Sequence, residues 1–298
     1  MHNSRDRISH TGYEMTYYRA SFVKSQTSSW LIPTGCVLLA AVATFPVLGQ
    51  APAINAGGVV DAASFAAGQP VSAGNIVAIF GSNLASKVAT ADTVPWSSTL
   101  ANVSVTFNGI TAPLQFVAPG QINAQIPWNV LPAGTNGTVN AVVTSQGVPS
   151  APQPVVINQF GPGVYTYNNH AIAINIQDPS SQRYGSFAAP TGTVGTYPAF
   201  PAQVNDLLFV YVGGLGAVSA APPNGAAATT TVTTNTVPTV LVNKVPAKVL
   251  FSGLAPGYPG VYQINLQVPQ VAAGSALPFQ VQIGGVTTST TAANIAVQ

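Results

Sequence analysis

Polar and apolar residues alternate in one stretch that the chain contains twice. The first copy is Gln121–Pro127 (QINAQIP) and the second is Gln263–Pro269 (QINLQVP). Each copy follows an Ala-Pro-Gly turn, and the second carries an insertion, Tyr258–Tyr262, between the turn and the repeat. A period of two predicts a strand with one apolar face toward a core and an amide-bearing face on the other side. The repeat therefore indicates two similar structural units.

Other landmarks recur in the same order along the chain. The apolar runs Ile76–Phe80 and Leu207–Val212 predict buried strands. Asn108-Gly109 ends an alternating run and predicts a tight hairpin, because both residues tolerate positive φ. No helical period is found past residue 50. We therefore predict an all-β fold with two tandem immunoglobulin-like β-sandwiches, over residues 52–158 and 159–298.

The two Ala-Pro-Gly turns have a simple structural explanation. Proline presets φ for the turn, and the glycine that follows is expected to occupy the position with positive φ. This applies to Gly120 in the first copy and to Gly257 in the second.

Residues 1–49 differ from the rest of the chain in composition. They begin polar and basic, continue as an apolar run from Trp30 to Leu48, and end at small residues around Gly49. This order predicts a secretory signal peptide, and hence a secreted, cell-surface or periplasmic protein. The alternative is an uncleaved membrane anchor, because the apolar run approaches the length of a spanning helix.

Charge is scarce, since only 5% of the residues are Asp, Glu, Lys or Arg. Past residue 50 four basic and four acidic residues leave a net charge of zero (4 − 4): Lys87, Arg183, Lys244 and Lys248 against Asp61, Asp92, Asp178 and Asp206. A neutral body has no electrostatic footprint for nucleic acid. Contact with a membrane is therefore expected only through an uncleaved leader. The single cysteine, Cys36, lies in the leader, so the body has no disulfide.

Candidate catalytic residues are few and scattered. His170 is the only histidine past the leader, and no Gly-x-Ser-x-Gly nucleophile motif is present. Glycoside hydrolysis normally needs two carboxylates, but the body has four isolated aspartates and no glutamate. The sequence also lacks a His/Cys cluster and an acidic calcium loop, so we expect no metal or other cofactor. We predict that the protein is not an enzyme.

Several longer motifs resemble a known family. The strings VVDAASF (59–65), SAGNIVAIFGSNLA (72–85) and APGQINAQIPW (118–128), with GLAPGYPGVYQIN (253–265) in the second unit, are similar to the uncharacterised C-terminal domain family of secreted Acidobacteria proteins (the Solibacter type). Gly74–Leu84 and Asp206–Leu215 also resemble the first strands of IPT/TIG domains, which are immunoglobulin-like. The resemblance implies an extracellular β-sandwich that serves as a spacer or binding module, without assigned catalytic residues.

The amides of the repeat are the candidate ligand-binding residues, together with nearby aromatic side chains. Amides can bond to sugar hydroxyls while rings stack on the apolar faces of sugars. The candidate set is Gln121, Asn123, Gln125, Trp128, Tyr258, Tyr262, Gln263, Asn265 and Gln267. The alternative is structural: one amide in each copy bonds to the backbone of a neighbouring loop and the others face water.

These observations predict a secreted, non-enzymatic surface or extracellular module with an adhesion or matrix role. One alternative is a carbohydrate-binding protein that uses the amide-and-aromatic face. Another is a structural protein that self-assembles, because low charge leaves strand edges poorly protected. The expected partners are a polysaccharide, another surface protein or further copies of the chain.

Overall fold

Short β-strands joined by turns account for the regular structure of the chain. The computed structural model describes residues 50–288 and 293–298. Within this part all regular elements are strands, and there is no helix. The all-β prediction is confirmed, with sheets arranged in immunoglobulin-like folds. The predicted signal peptide lies outside the described residues.

The first sandwich contains eleven strands in two antiparallel sheets. Its strands are β1 (Ala53–Asp61), β2 (Ile76–Ser82), β3 (Ala89–Thr90), β4 (Thr99–Leu100), β5 (Val103–Phe107), β6 (Ile110–Ala112), β7 (Leu114–Ala118), β8 (Gln121–Gln125), β9 (Gly137–Ser145), β10 (Val148–Pro149) and β11 (Gln153–Ile157). One sheet has the order β1-β2-β8-β7-β3, and the other has the order β10-β9-β5-β4, with β11 and β6 paired to β9 and β5.

The second sandwich contains the remaining strands in one continuous sheet that folds over its core. Its strands are β12 (Gly163–Val164), β13 (Thr166–Tyr167), β14 (His170–Ala171), β15 (Ala173–Asn175), β16 (Leu207–Gly213), β17 (Thr239–Val242), β18 (Val245–Leu254), β19 (Tyr262–Gln267), β20 (Gly274–Ile283), β21 (Val286–Thr287) and β22 (Asn294–Val297). The order is β12-β16-β19-β18-β17-β20-β22-β14-β13, with β15 on β16 and β21 on β20. The ten-residue strands β18 and β20 keep the sheet continuous, because β18 pairs with both β19 and β17, and β20 pairs with both β17 and β22.

Each sandwich has its own apolar core, formed by the alternate positions of its strands. In the first, Ile122 and Ala124 of β8 face Val103, Val105 and Phe107 of β5, and all five are fully buried. The Asn108-Gly109 hairpin is confirmed, since β5 pairs with β6 across these two positive-φ residues.

The two copies of the repeat pair with their neighbours in the same register. Gln125 lies opposite Ile76 in the first sandwich, and Gln267 lies opposite Leu207 in the second. The strand on the other side carries a bulge at the same place, at Gln115 in β7 and at Leu250 in β18. The repeat in sequence is therefore a repeat in three dimensions, extending to the irregularities of the sheet.

The two Ala-Pro-Gly turns differ in backbone conformation. Gly257 has a φ of 81°, as predicted. The prediction for Gly120 was wrong, because Gly120 is not among the positive-φ glycines. In the first copy the turn leads directly into β8, whereas in the second the chain continues into the insertion.

The second sandwich packs against the amide-bearing face of the first. The contact is a small apolar cluster in which Val60, Ile76 and Ala78 of the first sandwich meet Ala255 and Val261 of the second. The insertion approaches most closely at Gly260, where an added Cβ would lie 2.8 Å from the Gly74 carbonyl oxygen. Since no larger residue fits there, the insertion serves as a docking loop for the first sandwich.

Candidate functional site

The amide row of the first copy is used within the protein. Gln121 Nε2 donates to Asn123 Oδ1 at 2.8 Å, and Asn123 is itself almost fully buried. Gln125 is fully buried. Its Nε2 donates to the Gly74 carbonyl at 3.1 Å, and its Oε1 accepts from the Gly225 N–H of the second sandwich at 2.6 Å. Gln125 therefore joins the two sandwiches and cannot contact a ligand in this arrangement.

Trp128 also lies at the junction of the sandwiches. Its backbone N–H donates to Asn224 Oδ1 at 2.9 Å, and its indole covers the Cα of Gly74, where an added Cβ would lie 2.1 Å from the ring. The indole meets the ring of Tyr262 edge-on, with centroids 6.5 Å apart. It also lines a small cleft of ≈ 160 Å³ between the two sandwiches.

The two candidate tyrosines occupy different environments. Tyr262 is fully buried, its hydroxyl donates to the Gly216 carbonyl at 2.5 Å, and burial raises its pKa. Tyr258 packs edge-on against Tyr211, with centroids 5.7 Å apart. Burial, with Tyr258 adding to it, raises the pKa of Tyr211 to about 12. Tyr262 is thus a core residue, whereas Tyr258 and Tyr211 border the contact between the sandwiches.

The amide row of the second copy is partly exposed. Gln263 Nε2 donates to Asn265 Oδ1 at 2.7 Å, which repeats the Gln121–Asn123 bond. Gln267 Nε2 donates to the Asn205 carbonyl at 3.4 Å. All three amides remain partly accessible to solvent.

Apolar side chains flank this row on both sides. On β16, Leu207, Phe209 and Tyr211 lie opposite the three amides and point to the same face. On β18, the bulge directs Leu250 and Phe251 to this face, and Leu250 is 48% exposed. We call the three amides and these five side chains the open face.

The two copies of Gln-Ile-Asn-x-Gln thus have the same internal bonds but different surroundings. Gln125 bonds to the carbonyl of Gly74 and Gln267 to that of Asn205, and both partners have left-handed backbones, with φ of 77° and 71°. The predicted structural role of one amide in each copy, bonding to the backbone of a neighbouring loop, is seen in both. The remaining difference is that the second copy is not covered.

Sequence reasoning did not include five members of the open face: Leu207, Phe209, Tyr211, Leu250 and Phe251. Leu207–Val212 was predicted as a buried strand, but only its alternate residues Leu208, Val210 and Val212 are buried. The available signal was the alignment of the two units, which places Phe209 at the position of Ala78 and Leu250 at that of Gln115.

A second polar pair recurs at the ends of the same strands with the residue types exchanged. In the first sandwich Asn75 Nδ2 donates to Asp61 Oδ1 at 2.9 Å. In the second, Asn175 Nδ2 donates to Asp206 Oδ2 at 2.7 Å. The register supports the correspondence. Asp61 lies opposite Val77, two residues after Asn75, and Asn175 lies opposite Leu208, two residues after Asp206. The side chains of Asp61 and Asn175 each also accept a hydrogen bond from the backbone N–H two residues further along the chain.

The Asp61 carboxylate is buried against the second sandwich. It accepts hydrogen bonds from the backbone and hydroxyl of Ser64 at 2.7 and 2.8 Å, and it faces Gly163 and Gly213. An added Cβ at Gly163 would lie 1.9 Å from Asp61 Oδ2. Burial raises the pKa of Asp61, and the bonds from Asn75, Ser64 and Ala63 oppose that rise in part. By contrast Asp206 has a cation nearby, the Arg183 guanidinium at 3.7 Å.

No group of three or more His, Cys, Asp or Glu side chains arranged for a metal ion occurs in residues 50–288 and 293–298. His170 is partly exposed at the start of β14, and burial lowers its pKa. No helix long and apolar enough to cross a membrane is found in this described part.

Comparison with known proteins identifies the first sandwich. Residues 61–157 match the IPT/TIG domain family, so the chain contains an IPT/TIG domain. Such domains are typically non-catalytic and fit an extracellular or interaction module. The match to the Acidobacteria family remains a prediction. No curated protein matches the chain.

Three solved structures illustrate the partial likeness of this chain to known proteins. γ-CGTase from an alkalophilic Bacillus clarkii has 16% identity and a TM-score of 0.24, with 83% of this chain and 26% of the CGTase covered. The extracellular region of plexin A4 has 10% identity and a TM-score of 0.22, with 82% and 18% covered. Domains 5–6 of the S-layer protein SbsC have 12% identity and a TM-score of 0.22, with 83% and 98% covered. The chain spans about a quarter of the CGTase and less than a fifth of the plexin region.

Proposed function

We propose that the protein is a non-enzymatic interaction module of the cell surface or extracellular matrix, which is exported by its leader and binds its partner through the open face. The observation that carries this proposal is the pair of equivalent faces. One of them is already occupied by a neighbouring sandwich, and the other exposes apolar side chains to solvent.

The chemistry of the open face supports binding to a neutral partner. Leu250 is almost half exposed, and Phe209 and Phe251 are partly exposed beside it. Apolar side chains that are accessible on both sides of an amide row favour contact with a partner over contact with water alone. The amides of the open face can orient a partner through hydrogen bonds, while its aromatic rings can bury apolar surface against that partner.

Carbohydrate recognition is a second candidate function for the same face. The ring of Phe209 lies directly opposite Asn265, and Tyr211 lies opposite Gln263. Rings next to amides are suited to a sugar, because the rings stack on C–H groups while the amides bond to hydroxyls. The glycan site would then lie on β16, β18 and β19, apart from Gln125, Trp128 and Tyr262.

A capture assay tests the proposed function. The purified protein is applied to immobilised neutral polysaccharides and to matrix proteins, alongside Leu250→Glu and a control, Val237→Glu. Val237 is 68% exposed and does not belong to the open face, so the control adds the same charge elsewhere. We expect retention on at least one support, lost in Leu250→Glu and kept in Val237→Glu.

Two results would contradict the proposal. Retention that Leu250→Glu leaves unchanged would exclude the open face as the binding surface. Turnover of a bound polysaccharide that is abolished in His170→Ala would show that the protein is an enzyme.

A further inference from the structure

We infer that the open face is a self-association surface, on which the open face of a second copy of this chain packs about a two-fold axis. The inference rests on the proposed function, because it names the partner of the same face. It differs from assembly through strand edges, since the contact is made by side chains on a sheet face.

The first step of the argument is the arrangement inside the molecule. In the first sandwich Ile76 and Ala78 are fully buried because another sandwich covers them. Their equivalents in the second sandwich are Leu207, which is an isomer of Ile76, and Phe209, which is larger than Ala78. Both are only partly covered. A face built in this way is therefore already covered by another sandwich at one place in the molecule. Its second copy offers more apolar surface for the same kind of contact.

The second step concerns how such a contact could be made. The first sandwich is covered by way of the docking loop, with Gly260 against Gly74. That loop is already used within its own chain. The corresponding turn of the first sandwich, Ala118–Gly120, has no insertion that could reach the open face of another copy. A head-to-tail repetition of the internal contact is thus not available, which leaves the open face to meet itself.

The third step is that the open face is complementary to itself. A two-fold contact brings each surface feature against the same kind of feature on the partner. Amides satisfy this condition because each carries both a donor and an acceptor, so Gln263 and Asn265 can bond to their own copies. Apolar side chains on either side of the row, such as Phe209 and Leu250, would meet apolar side chains. Lys248 lies on the face itself, opposite Gln267 at one end of the amide row. A two-fold axis through the middle of the row places the two Lys248 side chains at opposite ends of the contact, so they do not oppose each other.

The size of the face sets the expected strength. Three strands of about six residues cover roughly 15 by 20 Å. This is smaller than the standard interface, which buries about 800 Å² on each partner. The dimer should therefore be weak, with half-association between about 10 µM and about 1 mM. High local concentration at a surface or in a matrix would favour it.

Sedimentation velocity of the purified protein over this concentration range tests the inference. The wild type should show a monomer–dimer equilibrium. Leu250→Glu should weaken association at least about tenfold, because it buries an unpaired charge in the contact. Val237→Glu, which adds the same charge on another surface, should behave as the wild type. Thermal melts of the two variants check that each is folded.

Three results would overturn the inference. These are a wild type that stays monomeric up to about 1 mM, association unaffected by Leu250→Glu, and association equally weakened by Val237→Glu. The capture assay separates this failure from failure of the proposed function. A monomeric protein that still loses polysaccharide binding in Leu250→Glu would make the open face a glycan site and remove only the dimer.

Discussion

The face formed by β2, β7 and β8 and the face formed by β16, β18 and β19 have the same register, the same bulge and the same row of amides. They differ in what covers them. On the first, Asn123 and Gln125 are buried, and Gln125 bonds to Gly225 of the second sandwich. On the second, Asn265 and Gln267 remain partly exposed. The same short sequence thus serves as an internal joint in one place and as free surface in the other.

A short insertion accounts for much of this difference. Tyr258–Tyr262 is present only in the second copy, and it supplies Val261 to the apolar contact and Gly260 to the closest approach. Duplication of a sandwich produces two equal faces. Adding a loop to one copy lets that sandwich cover the face of the other. The face of the sandwich that carries the loop stays open. Three predictions test this comparison, and the largest effect is expected at the joint.

The largest effect is expected for Gly163→Ala, where the second sandwich meets the Asp61 carboxylate. The new methyl group would lie 1.9 Å from Asp61 Oδ2, so either the carboxylate or the strand must move. We expect the free energy of unfolding to fall by about 3 kcal/mol, as for overpacking of a tight core. Urea unfolding measures the change.

Gly120→Ala is the matched control for that substitution. Gly120 has ordinary φ, and the nearest atom to an added Cβ is 3.8 Å away. Its free energy of unfolding should stay within about 0.5 kcal/mol of the wild type. If both substitutions lower the free energy of unfolding by the same amount, the contact between Asp61 and Gly163 does not hold the sandwiches together.

The next effect compares one residue type at the two equivalent positions, Gln125→Ala and Gln267→Ala. The first leaves the Gly74 carbonyl and the Gly225 N–H buried without a partner, which should cost about 2–3 kcal/mol. The second removes a long bond to an exposed carbonyl and should cost less than about 0.5 kcal/mol. Urea unfolding measures both variants, and each serves as the control for the other. If the two substitutions lower the free energy of unfolding equally, then covering the face adds nothing to the stabilisation by Gln125.

Much of the fold could be predicted from the sequence because it depends on local pattern. Alternation in Gln121–Ile126 and the Asn108-Gly109 turn determine strands and a hairpin whatever lies around them. The covering of a face is not local. Ile76–Phe80 and Leu207–Val212 are similar apolar runs, yet one is buried from both sides and the other from one side. The difference depends on where the second sandwich packs.

The candidate site was predicted in part for the same reason. The amides were identified correctly as a repeated feature, but sequence alone gave equal weight to both copies. The reciprocal Asp61–Asn75 and Asn175–Asp206 pairs were not predicted, because the partners are 14 and 31 residues apart and exchange places between the copies. Only the strand register shows that they correspond.

The smallest effect concerns pH and separates the two polar pairs. Burial raises the pKa of Asp61 above its ordinary value of 3.8, so in the folded protein this carboxyl holds its proton to higher pH than in the unfolded chain. Folding is therefore favoured by this group at low pH. Its contribution to the free energy of unfolding falls as pH rises from about 4 through the raised pKa, by at most about 1.4 kcal/mol per pH unit, and is constant above.

Asp61→Asn removes this titration, so its stability relative to the wild type should improve as pH rises through that window, whatever its constant offset. Urea unfolding from about pH 3.5 to about pH 8 measures the difference, in which the other aspartates cancel. Asp92→Asn, at an exposed loop position, is the control and should give a curve parallel to the wild type. A difference between Asp61→Asn and the wild type that does not vary with pH would show that the Asp61 carboxyl has the same pKa in the folded protein and in the unfolded chain. The four hydrogen bonds from Asn75, Ser64 and Ala63 would then offset the effect of burial on the pKa. The joint between the sandwiches would then hold a carboxyl group that ionises over the same pH range as in the unfolded chain.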